Sequence, residues 1–299
     1  MSTLRTPNGI DLEAQGITPD RQLPSRAHRK VVAIDGYDLA TIRIDAVGPV
    51  RGTAVLVPGY TSNADTFNCI LEPLSRRGYN VVSFSQRGQH LSRGPNDVHE
   101  YSLQRLGADI HELITAMNLG PRVHLVGHSF GGVVSIEAVL HNPDAFESLT
   151  MWNSGPECMG GDIESQRRAL LEYGPRAFYL STRIAAGLDP DADIKGELNV
   201  VEQYYYDRLM GTNPAQLEAG ITILANQVNK TAQLKATGVP VLVSHGANDD
   251  AWPIPMQREM AEELEADYWV IAHAGHSAHA DRSHTSAELL ATFWDEHLR

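Results

Sequence analysis

The stretch VHLVGHSFGGVVSIEAVL, residues 123–140, sets one serine between a short apolar run and a longer amphipathic one, with glycines at 127, 131 and 132. The first run has the length of a strand, and the second carries apolar residues at helical spacing. A strand that enters a helix through G-x-S-x-G turns so sharply that its central residue leaves the common backbone regions, and only small neighbours let the two elements approach. Gly127, Gly131 and Gly132 supply that room. The turn lifts the Ser129 hydroxyl above the carboxyl edge of a sheet, at a helix N-terminus whose free N–H groups favour negative charge. An ordinary strand-to-helix turn is the competing reading of the five letters alone. The strand before them and the helix after them favour a nucleophile.

Working outward, KVVAID and DLATIRIDAV, joined at Gly36-Tyr37, read as an antiparallel hairpin. TAVLVPG (53–59), YNVVSFS (79–85), RVHLVG (122–127), SLTMWN (148–153), PVLVSHG (240–246) and YWVIAH (268–273) are short and apolar on both faces, as strands of a covered parallel sheet are. Segments with apolar residues three and four apart separate most of them, including ADTFNCILEPLSRRG, SLQRLGADIHELITAMNLG and PMQREMAEELEAD. The expected fold is α/β, with an eight-stranded, mostly parallel sheet, the hairpin at its antiparallel edge and helices on both faces. Residues 156–230 break the alternation with helical patterns and no strand, so they read as a helical lid inserted into a core of residues 29–155 and 231–299. Residues 1–28 form an N-terminal extension.

The chain has 299 residues and 42% hydrophobic content, enough to bury a large core. Its net charge of −13 is spread without a basic block, which argues against nucleic acid or an anionic lipid surface as partner. No signal-like segment opens the chain and no run reaches the roughly 18 apolar residues of a membrane span, so the expectation is a cytoplasmic protein without membrane association. Cys69 and Cys158 read as plain thiols.

A serine hydroxyl is a weak nucleophile near neutral pH and needs a histidine base steadied by a carboxylate. PVLVSHGANDDAWP delivers Asp249 and Asp250 beyond a strand end, and YWVIAHAGHSAHAD offers His273, His276 and His279 beyond the next. A zinc site built from His273, His276, His279 and His284 is disfavoured, because the spacings contain no helical i, i+4 pair and no matching cysteines.

With Ser, acid and His in that chain order, the sequence resembles the α/β-hydrolase fold family from about residue 30 to the C-terminus. The resemblance implies Asp249 as the acid, through the pattern Gly246-x-x-Asp249, and His276 as the base, through Gly275-His276. It leaves Asp250 capping or solvated and His273 and His279 structural or at the surface. It implies oxyanion donors at the amides of Phe130 and Tyr60, although the family's frequent His-Gly is here Pro58-Gly59. In SFSQRGQHLS, Ser85 and His90 replace an acid and a glycine of the family's D-x-R-G-x-G-x-S. That loop reads as structural, with His90 a candidate for facing the pocket.

Trp152, Trp252 and Tyr205 join His90 as candidate substrate contacts, suggesting a small molecule that is apolar or aromatic in part. Ordinary packing is the alternative for each. No dinucleotide fingerprint or P-loop occurs, and no cofactor or metal is expected. The reading is a serine hydrolase of a carboxylic ester, thioester or lactone. Its rivals are a triad used for acyl transfer, cyclisation or C–C cleavage, and a ligand-binding module on the same fold.

Overall fold

The computed structural model describes residues 22–158, 160 and 163–298. Eight strands are β1 (His28–Ile34), β2 (Tyr37–Ile44), β3 (Gly52–Val57), β4 (Tyr79–Phe84), β5 (Val123–His128), β6 (Phe146–Trp152), β7 (Val241–Gly246) and β8 (Asp267–Ile271). They form one sheet in the order β1-β2-β4-β3-β5-β6-β7-β8. β1 and β2 pair antiparallel through the turn at Gly36, β2 meets β4 antiparallel, and all later pairs are parallel. This is the architecture expected from the alternating apolar runs. Of the N-terminal extension, residues 1–21 lie outside the described residues.

Side chains alternate across a strand, so each inner strand feeds two cores. Val55, Val57, Leu125 and Val243 pack on one face with α2 (Leu103–Ala116), α3 (Phe130–His141) and α10 (Ile254–Leu264). Ala54, Leu56, Val126 and Leu242 pack on the other with α1 (Asn68–Arg76), α11 (Ala278–Asp281) and α12 (Ser283–Glu296). β8 departs from the expectation of a strand covered on both faces: Trp269 and Val270 are exposed. It is the edge strand, and its outer side has no neighbour in the sheet.

Between β6 and β7 run α4 (Ile163–Tyr173), α5 (Pro175–Ala185), α6 (Ala192–Lys195), α7 (Val200–Met210), α8 (Pro214–Ala225) and α9 (Thr231–Ala236). The apolar pattern over 165–188 is two helices because Gly174, at φ 82°, ends one and Pro175 starts the next. Leu170, Phe178, Tyr179, Leu209, Leu217 and Ile221 give this segment a small core of its own, and Tyr60 packs against it from the loop after β3. The helices therefore sit over the carboxyl ends of the strands.

The loop after β4 is pinned by a buried ion pair. Arg87 donates from Nε and Nη2 to the two carboxylate oxygens of Asp109 on α2, at 2.9 and 2.6 Å, and its guanidinium lies 4.3 Å over the Tyr37 ring. Arg105 also donates to Asp109. From this anchored loop Gln86 donates to the Pro58 carbonyl at 2.7 Å and Gln89 to the Gly59 carbonyl at 2.9 Å. Removing one partner of such a pair leaves a buried charge. Asp109→Ala is expected to lower stability by about 3–5 kcal/mol in denaturant unfolding, and a loss below about 1 kcal/mol would refute the structural role assigned to the pair.

Candidate active site

β5 runs directly into α3, and the residue between them is Ser129, held at φ 55° and ψ −123°. This backbone region costs a non-glycine residue about 1–3 kcal/mol and persists only where surroundings impose it. Three bonds impose it here. The Ser129 amide donates to the Trp152 carbonyl at 2.9 Å, and the Ser129 carbonyl accepts from the Gly132 amide and the Ser154 hydroxyl, both at 2.8 Å. Gly131 is required because a Cβ there would collide with the carbonyls of Val57 and Pro58. A Cβ on Gly59 would lie 3.1 Å from the Ser129 Cβ, so the loop after β3 passes close beside the serine.

The loops after β7 and β8 are stitched together before they reach that serine. Ala247 donates to the Ile271 carbonyl at 2.9 Å and Asn248 to the Ala274 carbonyl at 2.8 Å. This brings Asp249 and His276 together: His276 Nδ1 lies 2.9 Å from Asp249 Oδ1, and His276 Nε2 lies 3.0 Å from Ser129 Oγ. The carboxylate can only accept, so Nδ1 carries the proton and Nε2 presents its lone pair to the hydroxyl. Asp249 also accepts from the amides of Ala251 and Trp252, and from Asn153 Nδ2 at 3.0 Å and Gln257 Nε2 at 2.9 Å. Burial opposes the charge on this side chain, but the bonds and charge of His276, together with Asn153 and Gln257, hold its carboxyl well below the usual range. Asp250 is exposed one residue further on.

Of the other histidines, His273 is exposed at φ 57°, whereas His279 is buried on α11 with Nε2 3.2 Å from the Thr66 hydroxyl. Phe130 supplies the first amide of α3, and its ring meets that of Tyr60 edge-on at 6.3 Å. The Tyr60 hydroxyl donates to the Leu217 carbonyl of α8 at 2.8 Å. Asn153, Gln257 and His128 are partners that sequence reasoning missed. Asn153 carried one signal, as an asparagine just past a strand end, and it does adopt φ 48°. Gln257 carried none, because a glutamine in a polar helix reads as solvated.

The candidate substrate contacts separate. Trp152 and Trp252 are each 1% exposed and packed in the core, Trp252 against the backbone of Gly155. Aromatic residues at strand ends have packed here as core. Tyr205 is 39% exposed, with Arg208 stacked 4.8 Å from its ring, while Tyr204 turns to bond Asn63 and Tyr206 packs on Tyr179. His90, at φ 44°, lies against Asn63 and Thr212 at the junction of the β4 loop with the helical segment. Among the described residues no group of three or more metal-ligating side chains occurs, no helix is long and apolar enough to cross a membrane, and no disulfide joins Cys69 to Cys158.

The sequence model of the serine aminopeptidase S33 family matches residues 48–283. The chain belongs to that family. It is an α/β hydrolase, and its relatives include a Variovorax paradoxus protein named "Putative carbamate hydrolase RutD", 28% identical over 236 residues that span 77% of this chain and 87% of that one. A non-heme haloperoxidase of Rhodococcus erythropolis is 26% identical over 222 residues, 69% of this chain and 78% of its own. The enol-lactonase of Burkholderia xenovorans has the same fold at TM-score 0.73 and 20% identity, covering 89% of this chain and 100% of that one.

Two buried histidines make the S33 chain sensitive to acid. Burial lowers His124 to about 4 and, with the neighbouring His276 adding to it, His128 to about 3. Both stay neutral in the folded state at pH values where the unfolded chain protonates them, below about 6.5. Stability is therefore full above that value and falls with pH down to the folded values, by about 1.4 kcal/mol per pH unit for each histidine. Denaturant unfolding between pH 7 and 5 is expected to show this slope, and His124→Asn to reduce proton uptake on unfolding by about one; a slope unchanged in the variant would contradict it.

Proposed function

We propose that this hydrolase cleaves a carboxylic ester, thioester or lactone of a small molecule through an acyl-enzyme on Ser129. The observation that carries the reading is the hydrogen-bonded series Asp249, His276 and Ser129, ending on a strained serine between strand and helix. His276 Nε2 takes the hydroxyl proton as Ser129 Oγ attacks the carbonyl carbon, and Asp249 stabilises the imidazolium that forms. The oxyanion is received by the Phe130 and Tyr60 amides. Phe130 stands at the first turn of α3, where backbone N–H groups have no partner within the helix. The Gly59 carbonyl is drawn to Gln89, and in a trans peptide the Tyr60 N–H points the opposite way.

His276 then returns its proton to the departing alcohol or thiol, which leaves the acyl group on Ser129. A water molecule gives up a proton to Nε2 and attacks the acyl carbon, releasing the acid and restoring the serine. Helices α4 to α8 serve as a cap, with Tyr60 and Phe178 meeting edge-on at 5.9 Å where cap and core join. The relative named for carbamate hydrolysis supports an acyl carbon bonded to a heteroatom as the target.

Ser129→Ala is expected to abolish turnover of p-nitrophenyl butyrate and labelling by a fluorophosphonate, and undiminished activity would end the proposal. Asp249→Asn keeps the shape but lets His276 settle in the wrong tautomer; kcat should drop by about ten-thousandfold.

A further inference from the structure

His128, the residue before Ser129, is a buried titratable group for which the reaction above has no use. Its Nε2 lies 2.8 Å from the backbone carbonyl of His276. A carbonyl only accepts, so Nε2 carries a hydrogen. Nδ1 has no hydrogen-bond partner among the described residues, and the place of a Cβ on Gly59 would be 3.1 Å from it. The ring is wedged between two other imidazoles, with centroids 5.0 Å from His276 and 4.6 Å from His279.

We propose that His128 is a positioning residue: in its Nε2–H form it clamps the carbonyl of His276, while Ser129 engages the imidazole of that same residue. Consecutive residues of one strained turn thereby hold the base by its backbone and by its ring. The His276 loop comes from the far side of β6 and β7, where its Ala274 carbonyl accepts from the Asn248 amide at 2.8 Å, its Gly275 amide donates to Asp281 at 2.7 Å and its Gly275 carbonyl accepts from Asn153 at 3.1 Å. The bond from His128 ties that loop directly to the strand carrying the nucleophile. A neutral ring is required, since a second cation beside His276 would oppose the imidazolium formed when Ser129 attacks. Burial first, and then charge on His276, keep His128 neutral, against the opposing pull of its hydrogen bond to the His276 carbonyl and of Asp249.

This inference rests on the proposed roles of Ser129 and His276, and its test separates the two. The tautomer is read in the wild-type enzyme without substrate, by nitrogen-15 NMR of the histidine rings at pH 7. Nε2–H at His128 is expected; Nδ1–H there overturns the proposal whatever the activity. Two variants then read the clamp with p-nitrophenyl butyrate. His128→Gln retains an amide donor at the Nε2 distance and should keep kcat within a few-fold, while His128→Leu removes it. A base displaced by about 1 Å costs on the order of a hundredfold, so the Leu variant should lose that much in kcat with KM unchanged. A folded Leu variant within about twofold of wild type, or a Gln variant that falls as far as Leu, overturns the proposal. Should the Leu variant fail to fold, the Gln variant and the tautomer decide. Loss of the Ser129 reading would instead appear as activity surviving in Ser129→Ala.

Discussion

A serine at φ 55° and ψ −123° is a conformation the chain does not choose locally. It is imposed from three directions: by the Trp152 carbonyl on β6, by the Ser154 hydroxyl beyond it, and by the Gly132 amide of α3. The first two bonds depend on β5 and β6 lying side by side in register, and the third on glycines letting α3 descend onto the sheet. The strain is therefore a tax on the whole central sheet, and what it achieves is a hydroxyl held clear of the backbone that carries it. Loops from β3, β6, β7 and β8 all close on that one point.

The supports form tiers that lead away from the serine. His276 touches it, Asp249 holds His276, and Asn153 and Gln257 hold Asp249. On the other side, Gly59 approaches the serine, Gln86 and Gln89 hold the peptides around Gly59, and the buried Arg87–Asp109 pair holds the loop that bears both glutamines. The electrostatics follow the same arrangement. A carboxylate that accepts several bonds stays charged although buried, while His128, walled in by other imidazoles, stays neutral.

The family relation and the site geometry speak to different parts of the chemistry. Membership of the serine aminopeptidase S33 family makes the chain a hydrolase, and relatives named for carbamate hydrolysis and for haloperoxidase activity show how widely one scaffold is used. Helices α4 to α8 are laid over the strand ends. Here that segment keeps its own small apolar core and reaches the β3 loop through the Tyr60 to Leu217 bond.

Much was legible before any coordinates. Apolar runs of strand length alternating with amphipathic ones gave six of the strands, because burial on two faces demands that composition; the turn at Gly36-Tyr37 gave the hairpin; and G-x-S-x-G gave the sharp turn, because only glycine tolerates such an approach. Asp249 and His276 needed the family resemblance as well, since Asp250 and His273 also stand near strand ends. Other features lay beyond pattern. The helical run over 165–188 divides at Gly174, β8 is half exposed because it is last in the sheet, and Trp152 and Trp252 are buried in the core. Asn153, Gln257 and His128 acquire their partners from segments 96, 8 and 148 residues away. Local periodicity reports which face of an element is apolar; which polar groups meet at a sheet edge depends on strand order and loop closure, and those emerge only when the distant segments pack.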